Sequence, residues 1–474
     1  MSWPIYRSAY IDAAFVPVHG GELQVILHPV TGAPMAEVMM AGPEEVDLAV
    51  QAAARAQREP ALQDRARRIE MLRSLQASVL SHEAAIRESV IEEYGAPLAR
   101  ASWVGRYASD CFGHAADLLR DHPFRRTQGS TEVWMEPVGV SALLVPWNSI
   151  AGTMCSKLAS ALAAGCASVI KPSEFSPWQT QAVAVALHEA GLPPGIFNIV
   201  SGSGTQVGQA LCTHPAVSKV SFTGSTATGK LIARAGVETM KRVSLALGGK
   251  SATIVLDDAD LATALPMAIA VAFMNNGQAC VAGSRLLVPR SRLDEIEEQV
   301  RHIVDGLVVG NPRDPATGLG PLASQAQYER VQQFIRRGQA EGARLLIGGE
   351  GHPAGLEHGW FVRPTVFADV ANDMDIARQE IFGPVLCLIA YDDDQDAVRI
   401  ANDSPYGLQA YVFSAQAERA RRMAGQLQVG SVLINRIAPD LMAPFGGVKQ
   451  SGVGREFGAA GIDAFLEPKT VVTI

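Results

Sequence analysis

One side chain stands out for its chemistry: Cys280, at the end of Asn275-Asn276-Gly277-Gln278-Ala279-Cys280. A cysteine attacks as its thiolate, which needs access to the reactant and nearby N–H groups or positive charge. Otherwise a lone cysteine serves as a small buried hydrophobe. Asn, Gly and Gln suit a strained, exposed or polar loop better than a core. The hexapeptide alone leaves both readings open, a partly open nucleophile or inert filler. Three further polar clusters each close a short apolar run: Pro146-Trp147-Asn148, Lys171-Pro172-Ser173-Glu174 and Thr223-Gly224-Ser225. Taken singly, Asn148 reads equally as a helix cap, and Lys171, Glu174 and Glu380 as solvated surface charges.

Two glycine-rich stretches imitate a phosphate loop. Gly224 to Lys230 ends in Lys230-Leu231, without the hydroxyl that would hold magnesium. Gly249-Lys250-Ser251 has that ending, but Ser244 stands where the upstream glycine belongs. These departures exclude a nucleoside triphosphatase of that type. The first stretch reads instead as a strand-to-helix turn whose helix N-terminus faces a dinucleotide pyrophosphate. Gly202, Gly204 and Gly208 do not form the usual dinucleotide fingerprint, and read equally as a plain turn.

The elements around these residues follow from periodicity. Pro43-Glu44-Glu45 opens a helix, and a second helical stretch is expected from Asp64 to Tyr94. Thr127-Gln128-Gly129-Ser130 signals a hairpin. Apolar runs at Val138–Val145, Ala167–Lys171, Phe197–Val200, Val217–Phe222, Val243–Leu247 and Ala252–Leu256 then alternate with helix-like segments. This pattern predicts an α/β fold built on a doubly wound parallel sheet, with a second α/β region beyond Asp260 and helices near Arg292–Ile303 and Gln325–Gly342. Strand C-termini share one edge of such a sheet, so the three polar clusters should converge on one crevice.

Composition narrows the class. With 474 residues, the chain exceeds one hydrophobic core. Hydrophobic residues at 48% and charged residues at 19% exclude disorder. A net charge of −8 without blocks of like charge argues against nucleic acid or anionic membrane as partner. The apolar run Ala264–Met274 is too short for a bilayer. Met1–Tyr10 lacks the apolar core of a signal peptide. The six cysteines show neither metal spacing nor a disulfide framework. No metal site is expected, and the setting expected is cytoplasmic.

Read together, the motifs are specific. The chain resembles the aldehyde dehydrogenase superfamily over nearly its whole length. The resemblance rests on Pro146-Trp147-Asn148, Lys171-Pro172-Ser173-Glu174, Phe222-Thr223-Gly224-Ser225, Leu247-Gly248-Gly249-Lys250, Gly277-Gln278-Ala279-Cys280, Glu380-Ile381-Phe382-Gly383-Pro384, and Pro444-Phe445-Gly446-Gly447 through Ser451-Gly452. It implies an NAD-dependent oxidation of an aldehyde to a carboxylic acid, with NADP as the alternative cofactor. Cys280 would attack the aldehyde, and Asn148 with the Cys280 backbone N–H would hold the oxyanion. Glu380 would hold the nicotinamide ribose, with Phe382 beside the ring. Lys171 and Glu174 would bind the adenosine ribose, and Ser225 the pyrophosphate. Pro146, Trp147, Ser173, Gly208, Phe222, Gly224, Leu247 and Gly248 complete the implied cofactor cradle. The pocket walls would come from loops near Phe112, Met154, Val281 and Arg436–Met442.

The resemblance also implies three parts. Residues 1–118 and 138–247 would form the cofactor-binding domain, and 248–450 the catalytic domain. Residues 119–137 and 451–474 would form an oligomerisation arm, in which a hairpin at Leu119–Pro137 pairs with the strand near Lys469–Ile474. The partners implied are an aldehyde and further copies of the chain, in a homodimer or homotetramer.

One residue departs from the pattern. Family members that hydrolyse their thioester usually carry Glu before Leu-Gly-Gly-Lys. Here Ala246 stands there, 34 residues before Cys280. The missing carboxylate is the usual general base for water, so deacylation is expected to be impaired. Three explanations stand open: an exchange made to trap a complex, substitution by Glu467 in Phe465-Leu466-Glu467-Pro468, or coenzyme A as the acyl acceptor. A non-catalytic nucleotide-binding protein on the same scaffold is the rival reading. It would need neither Cys280 nor Asn148.

Overall fold

Between Ser141 and Ala246 the apolar runs become parallel strands because helices cover both of their faces. Ser141–Leu144 and Ser168–Lys171 are buried throughout. The computed structural model describes residues 3–472. Its first sheet has eight strands. From edge to edge they are Gly452–Val453, Arg242–Ala246, Lys219–Thr223, Ser141–Leu144, Ser168–Lys171, Phe197–Ile199, Ser8–Ile11 and Ala14–Pro17. The five strands from Arg242–Ala246 to Phe197–Ile199 run parallel, and antiparallel strands close both edges. The strand order reverses between Ser141–Leu144 and Lys219–Thr223, which opens a crevice beyond their C-terminal ends. Helices Ile150–Ala164, Pro177–Glu189 and Thr226–Val237 link these strands.

A second, seven-stranded sheet holds Arg344–Ile347, Thr365–Ala368, Val385–Tyr391, Arg285–Pro289, Ala252–Val255, Gln409–Phe413 and Ser431–Ile434. All but the first run parallel. The expected doubly wound α/β architecture is therefore present. The expected helices appear at Leu293–Asp305 and Gln325–Ala340. Among the described residues no helix is long and apolar enough to cross a membrane.

Several boundaries differ from expectation. The N-terminal region carries strands at Ile5–Tyr6, Ser8–Ile11, Ala14–Pro17, Leu23–Leu27 and Pro34–Met39, where only an irregular start was expected. Ser8–Ile11 turns into Ala14–Pro17 through Asp12 and Ala13, both left-handed at φ 54° and 63°. That two-residue hairpin turn favours Gly or Asn, so Asp-Ala gives no signal. The expected helix Asp64–Tyr94 is three pieces, Arg65–Ser81, Glu83–Ser89 and a wider turn at Val90–Tyr94.

The hairpin begins later than Leu119, which still lies in the helix Leu98–Asp121. Its strands are Arg125–Gln128 and Thr131–Pro137, and Leu466–Val472 pairs antiparallel with the second of them. Residues 473–474, expected in that strand, lie outside the described residues. The stretch before it does not join the arm. Gly452–Val453 pairs with Arg242–Ala246, and the helix Gly458–Asp463 packs on Leu98–Asp121 and Ile150–Ala164.

One loop entering the second sheet governs how the chain approaches the crevice. Asn275, Asn276 and Gly277 are all left-handed, at φ 55°, 57° and 74°. Asn tolerates that conformation better than other non-glycine residues. A Cβ on Gly277 would lie 2.2 Å from the Gly383 carbonyl carbon, so only glycine lets this turn rest on Gly383-Pro384. Gly277→Ala should therefore destabilise the protein by about 2–4 kcal/mol, from overpacking plus the left-handed penalty. Gly129→Ala, also left-handed but with nothing within 4 Å of its Cβ, should cost about 1–2 kcal/mol. Thermal melts of the two variants compare them directly; equal shifts would contradict this account of the turn.

Candidate active site

A cavity of about 1070 Å³ lies where the two sheets face each other. From the first sheet come segments that follow strand C-termini: Pro146, Trp147 and Asn148, then Thr223, Gly224 and Ser225, then Ala246 and Leu247. From the second sheet come segments that precede strand N-termini: Gly248 before Ala252–Val255, Cys280 before Arg285–Pro289, Glu380 and Phe382 before Val385–Tyr391. Thus the crevice expected at one sheet's edge is closed by the opposite kind of edge from the other.

The loop that ends at Cys280 is partly open there, while the other five cysteines are buried. Its flank is strained and polar, two of the alternatives the sequence offered, and Asn276 to Gln278 are buried with their amides hydrogen-bonded. Asn276 donates to the carbonyls of Gly95 (3.2 Å) and Pro321 (2.9 Å) and accepts from the N–H of Gly320 (2.9 Å). Gln278 donates to the Tyr94 hydroxyl (2.9 Å) and accepts from the Ala323 N–H (3.1 Å). Asn148 donates through Nδ2 to the Gln278 carbonyl at 2.9 Å. Asn275 donates to the carbonyls of both Asn148 and Gln278, each at 3.1 Å. The amide of Asn148 is thereby fixed beside the Cys280 loop, with its second N–H not used in this network.

Burial raises the Cys280 thiol to about 12, with the Glu380 and Glu456 carboxylates adding to the effect. Although Cys280 reaches the cavity surface, protein surrounds it on most sides and little water can solvate a charge there. Glu380 is raised to about 7, again by burial, against the pull of a hydrogen bond from the Gly249 N–H (3.1 Å). A Cβ on Gly248 would meet Glu380 Oε2 at 2.4 Å, so glycine lets this carboxylate lie against the backbone. Arg330 and Gln327, on the helix Gln325–Ala340, donate to the Glu380 and Phe382 carbonyls, each at 2.6 Å. They hold Phe382 in a left-handed conformation (φ 64°) with its ring edge-to-face on Trp147 at 5.4 Å. Ser451 clamps the loop before Ala252, donating to the Gly248 carbonyl (2.7 Å) and accepting from the Gly407 N–H (3.0 Å).

The cavity has features that fit a dinucleotide. Ser225 caps the helix Thr226–Val237, whose first residues Thr226 and Ala227 line the wall. Among the described residues the buried Thr223 hydroxyl there has no hydrogen-bond partner. Glu380 presents a carboxylate able to accept from ribose hydroxyls. Not all expected residues reach this wall. Lys171, Ser173, Glu174, Gly208 and Phe222 do not line it. Lys171 is buried and ion-paired to Glu174 at 3.1 Å. Its strand neighbours Ser141–Leu144, so the pair stands at the same sheet edge. The Phe222 ring packs under Gly224, where a Cβ would approach it to 2.4 Å.

The structure corrects two expectations. Glu467 does not line the cavity; Arg242 holds both its oxygens, at 2.6 and 2.7 Å, and keeps its carboxyl below the ordinary range. It cannot serve as the substitute base. Phe112 and Met154 are fully buried in the core and form no wall. Tyr107 and Thr153, on the same two helices, line the cavity instead, with Val281 and Arg436–Leu441 as expected.

The carboxylate in the cavity that sequence reading missed is Glu456, ion-paired and hydrogen-bonded to Lys157. Lys157 also donates to the Ser221 hydroxyl at 2.8 Å. A signal existed: Lys157 is the one charged residue in the apolar helix Ile150–Ala164, and a buried ammonium requires a partner.

Comparison with known proteins agrees with this architecture. The aldehyde dehydrogenase family model matches residues 15–471. The chain is 47% identical over 470 residues to 3-succinoylsemialdehyde-pyridine dehydrogenase of a Pseudomonas species, covering 98% of each. A mutant of aldehyde dehydrogenase C from Pseudomonas syringae, solved with NAD+ and octanal, superposes with a TM-score of 0.95 at 41% identity, covering 98% of this chain and 96% of that one. Aldehyde dehydrogenase from Bartonella henselae gives a TM-score of 0.96 at 34% identity, covering 99% of both.

The raised thiol has a measurable consequence. In cofactor-free protein, alkylation at Cys280 should rise about tenfold per pH unit, because only the thiolate reacts, and should show no plateau up to about pH 10. Peptide mass spectrometry after timed iodoacetamide treatment follows this site alone. A plateau near neutral pH would show that the protein already holds a thiolate.

Proposed function

The chain belongs to the aldehyde dehydrogenase family, and from that membership and the site we propose that it oxidises an aldehyde to a carboxylic acid with NAD+. One observation carries the reading. Cys280, Asn148, Glu380, Phe382 and the Gly224-Ser225 turn come from both sheets and line one cavity. Bound there, NAD+ supplies the electron acceptor and a positive ring that favours the thiolate.

Cys280 attacks the aldehyde carbon, and the oxygen becomes an anion held by Asn148 Nδ2 and the Cys280 backbone N–H. Loss of two electrons and a proton from this adduct leaves a thioester on Cys280. An acyl acceptor then releases the acid and returns the thiol. Glu380 would position the nearer ribose through its hydroxyls. Lys171 and Glu174 would receive the farther ribose, where the carboxylate favours a 2′-hydroxyl over a 2′-phosphate and hence NAD+ over NADP+. On this reading the first sheet and its helices bind the cofactor and the second sheet supplies the nucleophile.

Ala246 lines the cavity without a carboxylate, so the deacylating water lacks the base usual in the family. The cavity carboxylate that can substitute is Glu456, whose pairing with the buried Lys157 fixes its position. We therefore assign deacylation as the slow step.

Rapid mixing with an aldehyde and NAD+ should give a burst of about one NADH per active site, then a steady rate lower by about 10²–10⁴-fold. Ala246→Glu should raise the steady rate and shrink the burst. Glu456→Gln should slow the steady phase more than the burst. Acceleration by added coenzyme A would identify a thiol as the acceptor instead. Fast linear turnover in water, indifferent to both substitutions, would overturn the assignment, and Cys280→Ser with undiminished activity would overturn the mechanism.

Self-association belongs to the same reading. In the three-stranded arm Arg125–Gln128 is an exposed edge, and exposed edges recruit further strands unless covered. A symmetric dimer or tetramer covers it most simply. Light scattering at micromolar concentration should give a multiple of the 50.3 kDa chain mass; a monomer would contradict the proposal.

A further inference from the structure

Three residues of the helix Leu98–Asp121 form a ladder on the cavity wall: Arg100, Trp103 and Tyr107. The Arg100 guanidinium lies over the Trp103 ring, 4.7 Å from its centroid. The Trp103 and Tyr107 rings stack at 4.3 Å and 22°. Tyr107 in turn abuts Gly152, where a Cβ would lie 2.4 Å from its Cε1. The ladder therefore rests on the neighbouring helix and is held in place.

Arg100 is the anomaly in it. Among the described residues its side chain has no hydrogen bond and no ion pair, and its ring contact uses only the face of the guanidinium. The donors lie in the plane of the fork and remain unused. Among the described residues no carboxylate of the cavity pairs with it. Glu456 is paired with Lys157, Glu380 accepts from Gly249, and Asp440 accepts from the Met442 N–H at 2.9 Å.

The position itself disfavours a cation. Arg100 is the third residue of its helix, with no acidic residue in the first turn. The positive end of the helix dipole favours anions there. Burial also disfavours the charge. An arginine so placed raises the energy of the empty site, and an anion between the fork and the helix end would lower it.

We infer that Arg100 receives a carboxylate at the end of the substrate remote from its aldehyde, so that the preferred substrates are ω-oxo carboxylates. The inference rests on the aldehyde oxidation proposed above. The stacked rings hold the fork so that it can bind both carboxylate oxygens, and the aldehyde end reaches Cys280 through the same cavity. Arg100 is thus a specificity residue with no part in bond making.

The test compares unbranched ω-oxo carboxylates with their own methyl esters, which keep length and shape but lose the charge. In the parent chain kcat/KM should favour the acid by about tenfold to a hundredfold, the range of charge-assisted hydrogen bonds, and mainly through KM. Arg100→Met should collapse that ratio toward one, and Arg100→Lys should keep part of it. Calorimetry with the corresponding dicarboxylates, on Cys280→Ala protein, should show binding that Arg100→Met abolishes. A parent ratio at or below one would overturn the inference, as would a ratio that Arg100→Met leaves unchanged. Preference for plain alkanals or aryl aldehydes would sink it too, while leaving aldehyde oxidation standing. If no aldehyde of any kind were oxidised, the proposed function would fail first.

Discussion

The contact between Gly277 and the Gly383-Pro384 backbone sets the shape of the site. Two loops that enter neighbouring strands of the second sheet can meet so closely only because neither carries a side chain at the crossing. Everything nearby depends on that approach. Asn275 and Asn276 turn left-handed to reach it, and their amides then tie the loop to Asn148, Gly95 and Pro321. Beyond the turn, Cys280 emerges beneath Asn148. On the other side, Glu380 and Phe382 are held out over the same space by Arg330 and Gln327. A steric constraint between two glycine-containing turns is thereby converted into the relative placement of Cys280, Asn148 and Glu380.

Electrostatics then works against the reactive groups at rest. Burial keeps Cys280 as a thiol and raises Glu380 toward neutrality. Lys157 spends its charge on Glu456, deep beneath the cavity wall. Cys280 at rest is therefore an uncharged thiol, although the cavity wall carries the charge of Arg100. An uncharged thiol is less open to stray oxidation. Ala246 lines the same cavity and adds no charge to it.

Much of this was legible in the chain. Short apolar strands alternating with helices specified the parallel sheet, because burial on both faces leaves a distinct composition. The order of the motifs around Asn148, Ser225, Cys280 and Glu380 identified the family, and these residues do share one cavity. Less visible were elements stabilised by distant partners. Ser8–Ile11 is a strand because Phe197–Ile199 offers an edge, and Gly452–Val453 because Arg242–Ala246 does. Nothing within those short segments announces the pairing.

Which of two C-terminal carboxylates faces the cavity was decided by tertiary structure. Glu456 and Glu467 lie 11 residues apart on one C-terminal segment, and both come after the same run of motifs. Both are acids near the end of the chain, and the motifs of the sequence point to Glu467 alone. In the folded protein the helix Gly458–Asp463 separates them. Glu456 turns inward to Lys157 and the cavity, and Glu467 turns outward to Arg242. The sequence by itself determined the chemistry available and the fold that would carry it, because residue types and local periodicity are properties of short segments. Only the tertiary structure decided which charges meet, because a buried ammonium selects its partner by distance in space, and distance in space is not a property of any segment alone.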